Sequence, residues 1–183
     1  MNLGPRVQYL EVPNHNLTDE QALKRYQQGN FTQSEKETPS FGFTTSEYWL
    51  ALDIKNASAN NQERLLQIAY APLDHIEIYL IAHGEILLHE IMGDNQPFTN
   101  RPTLNRNFVV PLNFLPDQRH TLLIKAHQLD GDTVEVPIQL FQANDFTQAE
   151  IKASLFDGAF IGIMIIMAIY NLFLFATFET GPT

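Results

Sequence analysis

The sequence predicts an all-β domain, a jelly-roll-like β-sandwich of about eight antiparallel strands, followed by a C-terminal transmembrane α-helix. Three observations lead to this prediction. Short stretches that alternate between apolar and polar residues follow one another along most of the chain. Turn-forming residues separate these stretches. The run Gly158–Phe178 holds 21 residues without a charged side chain, and as a helix it is long enough to cross a bilayer.

The elements can be assigned in chain order. A strand is predicted at Val7–Glu11 and a short helix at Asp19–Tyr26, which Thr18 can cap. The β body begins at Phe43, and its predicted strands are Tyr48–Ile54, Arg64–Tyr70, Ile76–Leu80, Glu85–Met92, Asn107–Leu112, His120–His127 and Thr133–Leu140. We expect His83-Gly84 to form a tight turn and Asp130-Gly131 to join the last two strands as a hairpin. Residues 93–106 are polar and proline-rich, which is typical of a long connection.

The chain divides into two parts in this interpretation. Residues 1–150 form the sandwich, and residues 151–183 form a linker and a transmembrane helix at about 156–178. In the alternative, the apolar segment is the core helix of a soluble protein, although such helices are usually shorter and seldom apolar on every face. Asn171 lies deep in the apolar segment and predicts a partner on a neighbouring helix, and therefore a helix bundle.

Composition excludes several classes of function. The formal net charge of −10 argues against nucleic-acid binding, which needs a basic surface. The absence of cysteine excludes disulfides and thiolate metal sites. The glycines are isolated, so no phosphate-binding loop and no cofactor are predicted. Met1–Arg6 has no apolar segment, and we expect that any export signal has been removed.

The alternation also assigns each strand residue to a face of the sheet. Tyr48, Leu50 and Leu52 are predicted to face the core. If the strands share one sheet, the opposite face carries the candidate ligand-binding residues Trp49, Asp53, His75, Glu77, Tyr79, Lys125 and His127. Flat aromatic rings beside polar groups suit a sugar, because its apolar faces stack and its hydroxyls form hydrogen bonds. In the alternative, Trp49 packs under the 93–106 loop and the charged residues form a solvated face.

Two arginines in the 93–106 connection are further candidates. Arg101 and Arg106 either clamp a carboxylate or a sugar hydroxyl from the edge of this face, or bridge carbonyl groups and hold the loop in place.

Catalysis and metal binding are not predicted. None of the serines has the surroundings of a nucleophile, and Asp53 with Glu77 would suit a glycosidase only by coincidence of spacing. His83 and His89 flank one strand, but no third ligand accompanies them.

Several stretches together resemble a known family. They are Phe41–Ile54 with Asn56, Leu73–Leu80, Gly93 with Pro97-Phe98 and Arg101, Asn105–Leu112, Phe146, and Phe156, Gly158 and Tyr170-Asn171-Leu172 in the apolar segment. In this order they are similar to the type-2 extracellular domain of 7TMR-DISM proteins, which are bacterial seven-helix receptors. Members usually carry an arginine two positions after the tryptophan, where this chain has Ala51. A basic flank after Phe178 is also missing.

The resemblance implies a sensory domain in the periplasm, followed by the first transmembrane helix of a receptor in the bacterial inner membrane. The aromatic and polar residues of the outward face, for their part, predict a carbohydrate or other small-molecule ligand. The competing hypothesis is a module that docks a periplasmic protein or a second copy of itself as a homodimer. A cytoplasmic diguanylate cyclase or histidine kinase is the implied output, outside these residues.

Overall fold

The computed structural model describes residues 1–179, with side chains through residue 175. Its first compact unit, Met1–Ala143, is an antiparallel β-sandwich, as predicted. The strands are β1 Gln8–Val12, β2 Thr32–Gln33, β3 Ser40–Phe43, β4 Glu47–Lys55, β5 Gln62–Ile68, β6 His75–Ala82, β7 Glu85–Met92, β8 Phe108–Phe114, β9 Arg119–His127, β10 Thr133–Glu135 and β11 Ile138–Phe141. Helix α1 spans Asp19–Gln27, and helix α2 spans Ala143–Glu179.

Two layers enclose the main core. One is a six-stranded sheet in the order β2-β1-β4-β9-β6-β7. The other consists of the pair β10-β3 and the three strands β11-β5-β8. The predicted inward residues Leu50, Ile78 and Ile124 occupy one row across β4, β6 and β9, and all three are fully buried against β5 and β8. Burial of each such side chain contributes roughly 1.5–3 kcal/mol.

The two predicted turns have different outcomes. His83-Gly84 joins β6 to β7, and both residues have positive φ (53° and 83°), as a two-residue hairpin turn requires. The hairpin predicted at Asp130-Gly131 is wrong. Strand β9 already has β4 and β6 on its two edges, so the chain after it crosses to the other layer. There β10 pairs with β3, and β11 pairs with β5.

Helix α1 covers part of the outer face of the six-stranded sheet. Thr18 and Gln21 form a reciprocal capping box at its start, which confirms the predicted cap. Beneath the helix lies a second apolar cluster, made of Val12, Leu17, Ala22, Phe31, Trp49, Ala51, Tyr79, Ile81 and Leu123. The six-stranded sheet is therefore partly buried on both faces.

Helix α2 has the length and composition of a membrane span over Ala143–Phe175. None of the apolar window within it is buried in the described chain, whereas the core helix of a soluble protein would be mostly buried. Within the described side chains Asn171 is exposed, so its expected partner on a neighbouring helix remains a prediction.

Gly93 provides a test of how tightly the sandwich is packed. A Cβ atom there would lie 2.0 Å from the carbonyl oxygen of Asp74. We expect Gly93→Ala to lower the free energy of unfolding by roughly 3 kcal/mol, because a backbone atom cannot move aside cheaply. Gly29→Ala is the control, since Gly29 has φ +75° but open space around it. It should cost only about 1–2 kcal/mol. Urea unfolding followed by Trp49 fluorescence compares the two, and an equal or smaller loss for Gly93→Ala would contradict the packing.

Candidate functional site

Polar side chains gather on the outer face of the six-stranded sheet, beside the area under α1. Strands β4, β9 and β6 are adjacent there. Lys125 on the central strand β9 lies opposite Trp49 of β4 on one side and opposite Glu77 of β6 on the other. His75 lies opposite His127. We use the name polar cluster for His15, Glu47, His75, Glu77, Tyr79, His89, Lys125 and His127.

Glu77 is the centre of the polar cluster. Its carboxylate accepts hydrogen bonds from His75 Nε2 (2.8 Å), Tyr79 Oη (2.5 Å), Lys125 Nζ (3.2 Å) and His89 Nε2 (3.2 Å). The hydrogen bond from His75 contributes most to a pKa of Glu77 well below its usual value, helped by Tyr79 and Lys125 and opposed by burial. Glu77 is therefore an anion at neutral pH.

Lys125 links the two carboxylates of the polar cluster. Its Nζ lies 3.2 Å from Glu77 Oε1 and 3.4 Å from Glu47 Oε2. Burial alone would lower the pKa of Lys125, but the charges of Glu47 and Glu77 outweigh it and raise that pKa. Two carboxylates and one ammonium group leave one negative charge on these three side chains.

The imidazole of His127 is held in its neutral form at pH 7. Burial, followed by the neighbouring His75, His15 and Lys125, lowers the pKa of His127 to about 4. The His127 ring centroid lies 4.7 Å from that of His75 and 5.2 Å from that of His15. His127 thus brings polar ring nitrogens to the face without adding charge.

The aromatic residues do not form the exposed platform that the sequence suggested. Trp49 is 1% exposed and Tyr79 is 5% exposed. The Trp49 indole packs in the second apolar cluster and donates from Nε1 to Glu47 Oε1 at 2.5 Å. The alternative prediction, that Trp49 packs under the 93–106 loop, was also wrong. The cluster around Trp49 contains residues of α1 and its flanking segments and none of that loop. Trp49 does lie on the outer face, as predicted, but strand alternation cannot show that a helix covers that part of the face.

The chain is similar to known proteins in sequence and, more distantly, in structure. The family profile "7TMR-DISM extracellular 2" matches residues 4–142. The chain belongs to this family. No curated protein matches it significantly. A solved structure from work on the promiscuous specificity of carbohydrate-binding modules of the β-sandwich superfamily is 14% identical, with a TM-score of 0.31. The alignment covers 76% of this chain and 58% of that one, and a likeness this distant transfers no ligand.

Besides Trp49, three predicted site residues of this 7TMR-DISM domain lie outside the polar cluster. Asp53 is four residues from Trp49 along β4, or roughly 13 Å, and accepts a hydrogen bond from Thr121 Oγ1 (2.9 Å). Arg101 donates to the carbonyl oxygens of Asn105 and Arg106, each at 3.0 Å.

The surroundings of Arg101 favour the loop-holding alternative. Its guanidinium group lies 4.7 Å from the ring centroid of Phe98 and 4.6 Å from that of Phe108. Arg101 thus ties its own loop to strand β8. Arg106 is exposed on the same loop, and a ligand contact there remains a prediction.

Three members of the polar cluster were missed from the sequence. Glu47 continues the alternation of Trp49 and Ala51 by one step, so a longer β4 would have placed it on this face. The two-residue turn at His83-Gly84 sets Tyr79 opposite His89. His15 lies in the loop after β1, where no periodicity could have placed it.

Glu77→Gln tests the electrostatics of this domain. At pH 7 we expect a loss of about 2 kcal/mol in the free energy of unfolding, because hydrogen bonds to a charged group are lost. The pKa of Glu77 is lowered on folding, so its contribution is complete above the ordinary value of 4.5 and disappears as the pH falls further.

The difference between wild type and Glu77→Gln should therefore shrink in acid, measured by urea unfolding from about pH 7 down to about pH 3. Glu85→Gln, at an exposed hairpin position, is the control and should follow wild type throughout. A difference that stays constant below the ordinary pKa would contradict the assignment.

Proposed function

We propose that this 7TMR-DISM extracellular domain is the ligand-sensing part of a bacterial membrane receptor. The sandwich lies in the periplasm, and α2 is the first of several helices in the inner membrane. Family membership supports the extracytoplasmic sensory role, and the exposed apolar surface of α2 supports the membrane attachment.

The ligand is a small polar molecule, and carbohydrates belong to this class. The observation that carries this proposal is the polar cluster, whose groups are ordered by hydrogen bonds yet reachable: the side chains of His75, Lys125 and Glu77 are 23%, 21% and 13% exposed. With Trp49 buried, recognition rests on charge-assisted hydrogen bonds more than on stacking. His89 stacks on Tyr79 with centroids 4.2 Å apart and is the partly exposed ring that a sugar could contact.

Signalling in this proposal requires binding and no chemical step. A ligand that prefers one state of the receptor shifts a two-state equilibrium by its difference in affinity. Strand β11 ends at Phe141 and α2 begins at Ala143, so the chain passes from sandwich to helix after one residue. The output is a cytoplasmic diguanylate cyclase or histidine kinase, as the family resemblance implies.

The proposal is tested by titrating the purified chain, in detergent, with a panel of neutral, amino and acidic sugars and recording thermal shifts. A ligand of the polar cluster should raise the melting temperature of wild type, and Lys125→Met should weaken its binding at least about tenfold because a charged hydrogen-bond donor is lost. Lys55→Met, at the far end of β4, is the matched control. A shift that Lys125→Met retains in full would place the ligand elsewhere, and no shift with any sugar would reject the carbohydrate class.

A protein-docking module is the second candidate, because β7 forms an open edge of the six-stranded sheet. Ile86, Leu87 and Ile91 on this strand are 50%, 43% and 44% exposed. An apolar edge strand can pair with another chain, either a periplasmic protein or a second copy. Sedimentation measures the oligomeric state of wild type and of Ile91→Lys. A wild-type dimer that dissociates in the variant supports this candidate. If both proteins are monomers, the homodimer is rejected.

A further inference from the structure

We propose that His15, Glu47 and His127 form a binding site for a divalent transition-metal ion, and that Zn²⁺ is the ion whose chemistry fits best. Each residue offers one ligand atom, and the three atoms lie within 4.8 Å of one another. Two imidazole nitrogens and one carboxylate oxygen form a common three-ligand zinc set, with the fourth position open to water or to a ligand. The proposal does not depend on which molecule the receptor senses.

His15 is already oriented as a metal ligand. Its Nε2 lies 2.6 Å from the carbonyl oxygen of Thr45. Because a carbonyl can only accept, Nε2 carries the proton and Nδ1 of the neutral ring presents its lone pair. That Nδ1 lies 3.8 Å from Glu47 Oε2. Ligating histidines typically donate their second ring N–H to a backbone carbonyl or carboxylate in this way.

Glu47 supplies the buried oxygen. Its side chain is 2% exposed, and Oε1 accepts the hydrogen bond from the Trp49 indole. This contact fixes the carboxylate and leaves Oε2 directed towards His15 and Lys125. A buried carboxylate of this kind needs a cation close by.

His127 is the third residue of the set. Its Nδ1 is buried and has no hydrogen-bond partner within the described part of the chain. Buried polar atoms without a partner are rare, and each calls for an explanation such as an ion. A tetrahedral ion with bonds of about 2 Å holds its ligand atoms roughly 3.3 Å apart. A separation of 4.8 Å must therefore close by roughly 1.5 Å, within the reach of side-chain rotation.

Lys125 competes with the metal for Glu47. Its ammonium group is 3.4 Å from Glu47 Oε2 and 3.2 Å from Glu77 Oε1. A metal ion on Glu47 would repel Lys125 towards Glu77. The metal site and Glu77 are therefore coupled through Lys125. Removal of the Lys125 charge should change metal affinity, which would not follow if the cluster were purely structural.

The test uses the untagged full chain, stripped with a chelator and titrated with Zn²⁺ alone by isothermal calorimetry. We expect one Zn²⁺ per chain, and at least roughly tenfold weaker binding in His15→Asn and in His127→Asn. Asparagine suits position 15 because it tolerates the left-handed backbone (φ 49°) there. His83→Asn, at a comparable positive-φ position (53°) outside the cluster, is the matched control and should bind as wild type does.

Lys125→Met should bind Zn²⁺ more tightly than wild type, and Zn²⁺ should raise its melting temperature more, because the competing ammonium is gone. Co²⁺ in place of Zn²⁺ should give the visible absorption of a tetrahedral site in wild type, and His127→Asn should lose it. The proposal is overturned by the absence of stoichiometric binding, by binding that His15→Asn and His127→Asn leave unchanged, or by binding lost in His83→Asn. A negative sugar panel leaves this site standing, and a negative Zn²⁺ titration leaves the sensing proposal standing.

Discussion

Strands β4, β9 and β6 have a different environment on each face, and the rest of the sandwich depends on this two-sided packing. Their inner residues fill the core between the layers, while their outer residues meet either α1 or solvent. Alternate side chains point to opposite faces, so Glu77 lies outward between the fully buried Ile76 and Ile78. A register slip by one residue would bury the glutamate in the core, and the polar cluster is therefore held by the same packing that stabilises the fold.

Burial of the charged groups of the polar cluster has a desolvation cost that reduces its contribution to the free energy of folding. Desolvated ion pairs often contribute no more than apolar side chains of similar size, and removal of one partner leaves an uncompensated charge. Glu47 and Glu77 share Lys125, and the remaining hydrogen-bonding capacity of Glu77 is met by Tyr79, His75 and His89. A surface selected for stability alone would need none of this. The presence of an ordered, reachable set of charges and imidazoles on one face is the physical basis for proposing ligand recognition there.

Trp49 has a structural role: it supports the outer face from below instead of presenting an exposed ring on it. Its indole is buried in the second apolar cluster, and its N–H fixes the Glu47 carboxylate. Tyr79 is likewise buried while its hydroxyl holds Glu77. The two aromatic residues therefore orient the carboxylates from below. Substitution of either residue perturbs packing as well as the site, which makes Lys125 and the histidines the better probes of ligand binding.

Local pattern was sufficient for the sandwich class, most strand positions, the division into two faces, the His83-Gly84 turn and the exposed apolar helix, because alternation and charge depletion are properties of consecutive residues. Family membership was also predictable from the order of short stretches between Phe41 and Leu172, and the family profile matches residues 4–142. Only the tertiary structure decided that β9 has partners on both edges, that α1 buries Trp49, that Arg101 holds its own loop, and that His15 reaches Glu47 and His127. These features depend on which distant segments meet. That is set by the competition among strands for edges and by the need to cover apolar surface, and neither leaves a periodic signal in the sequence.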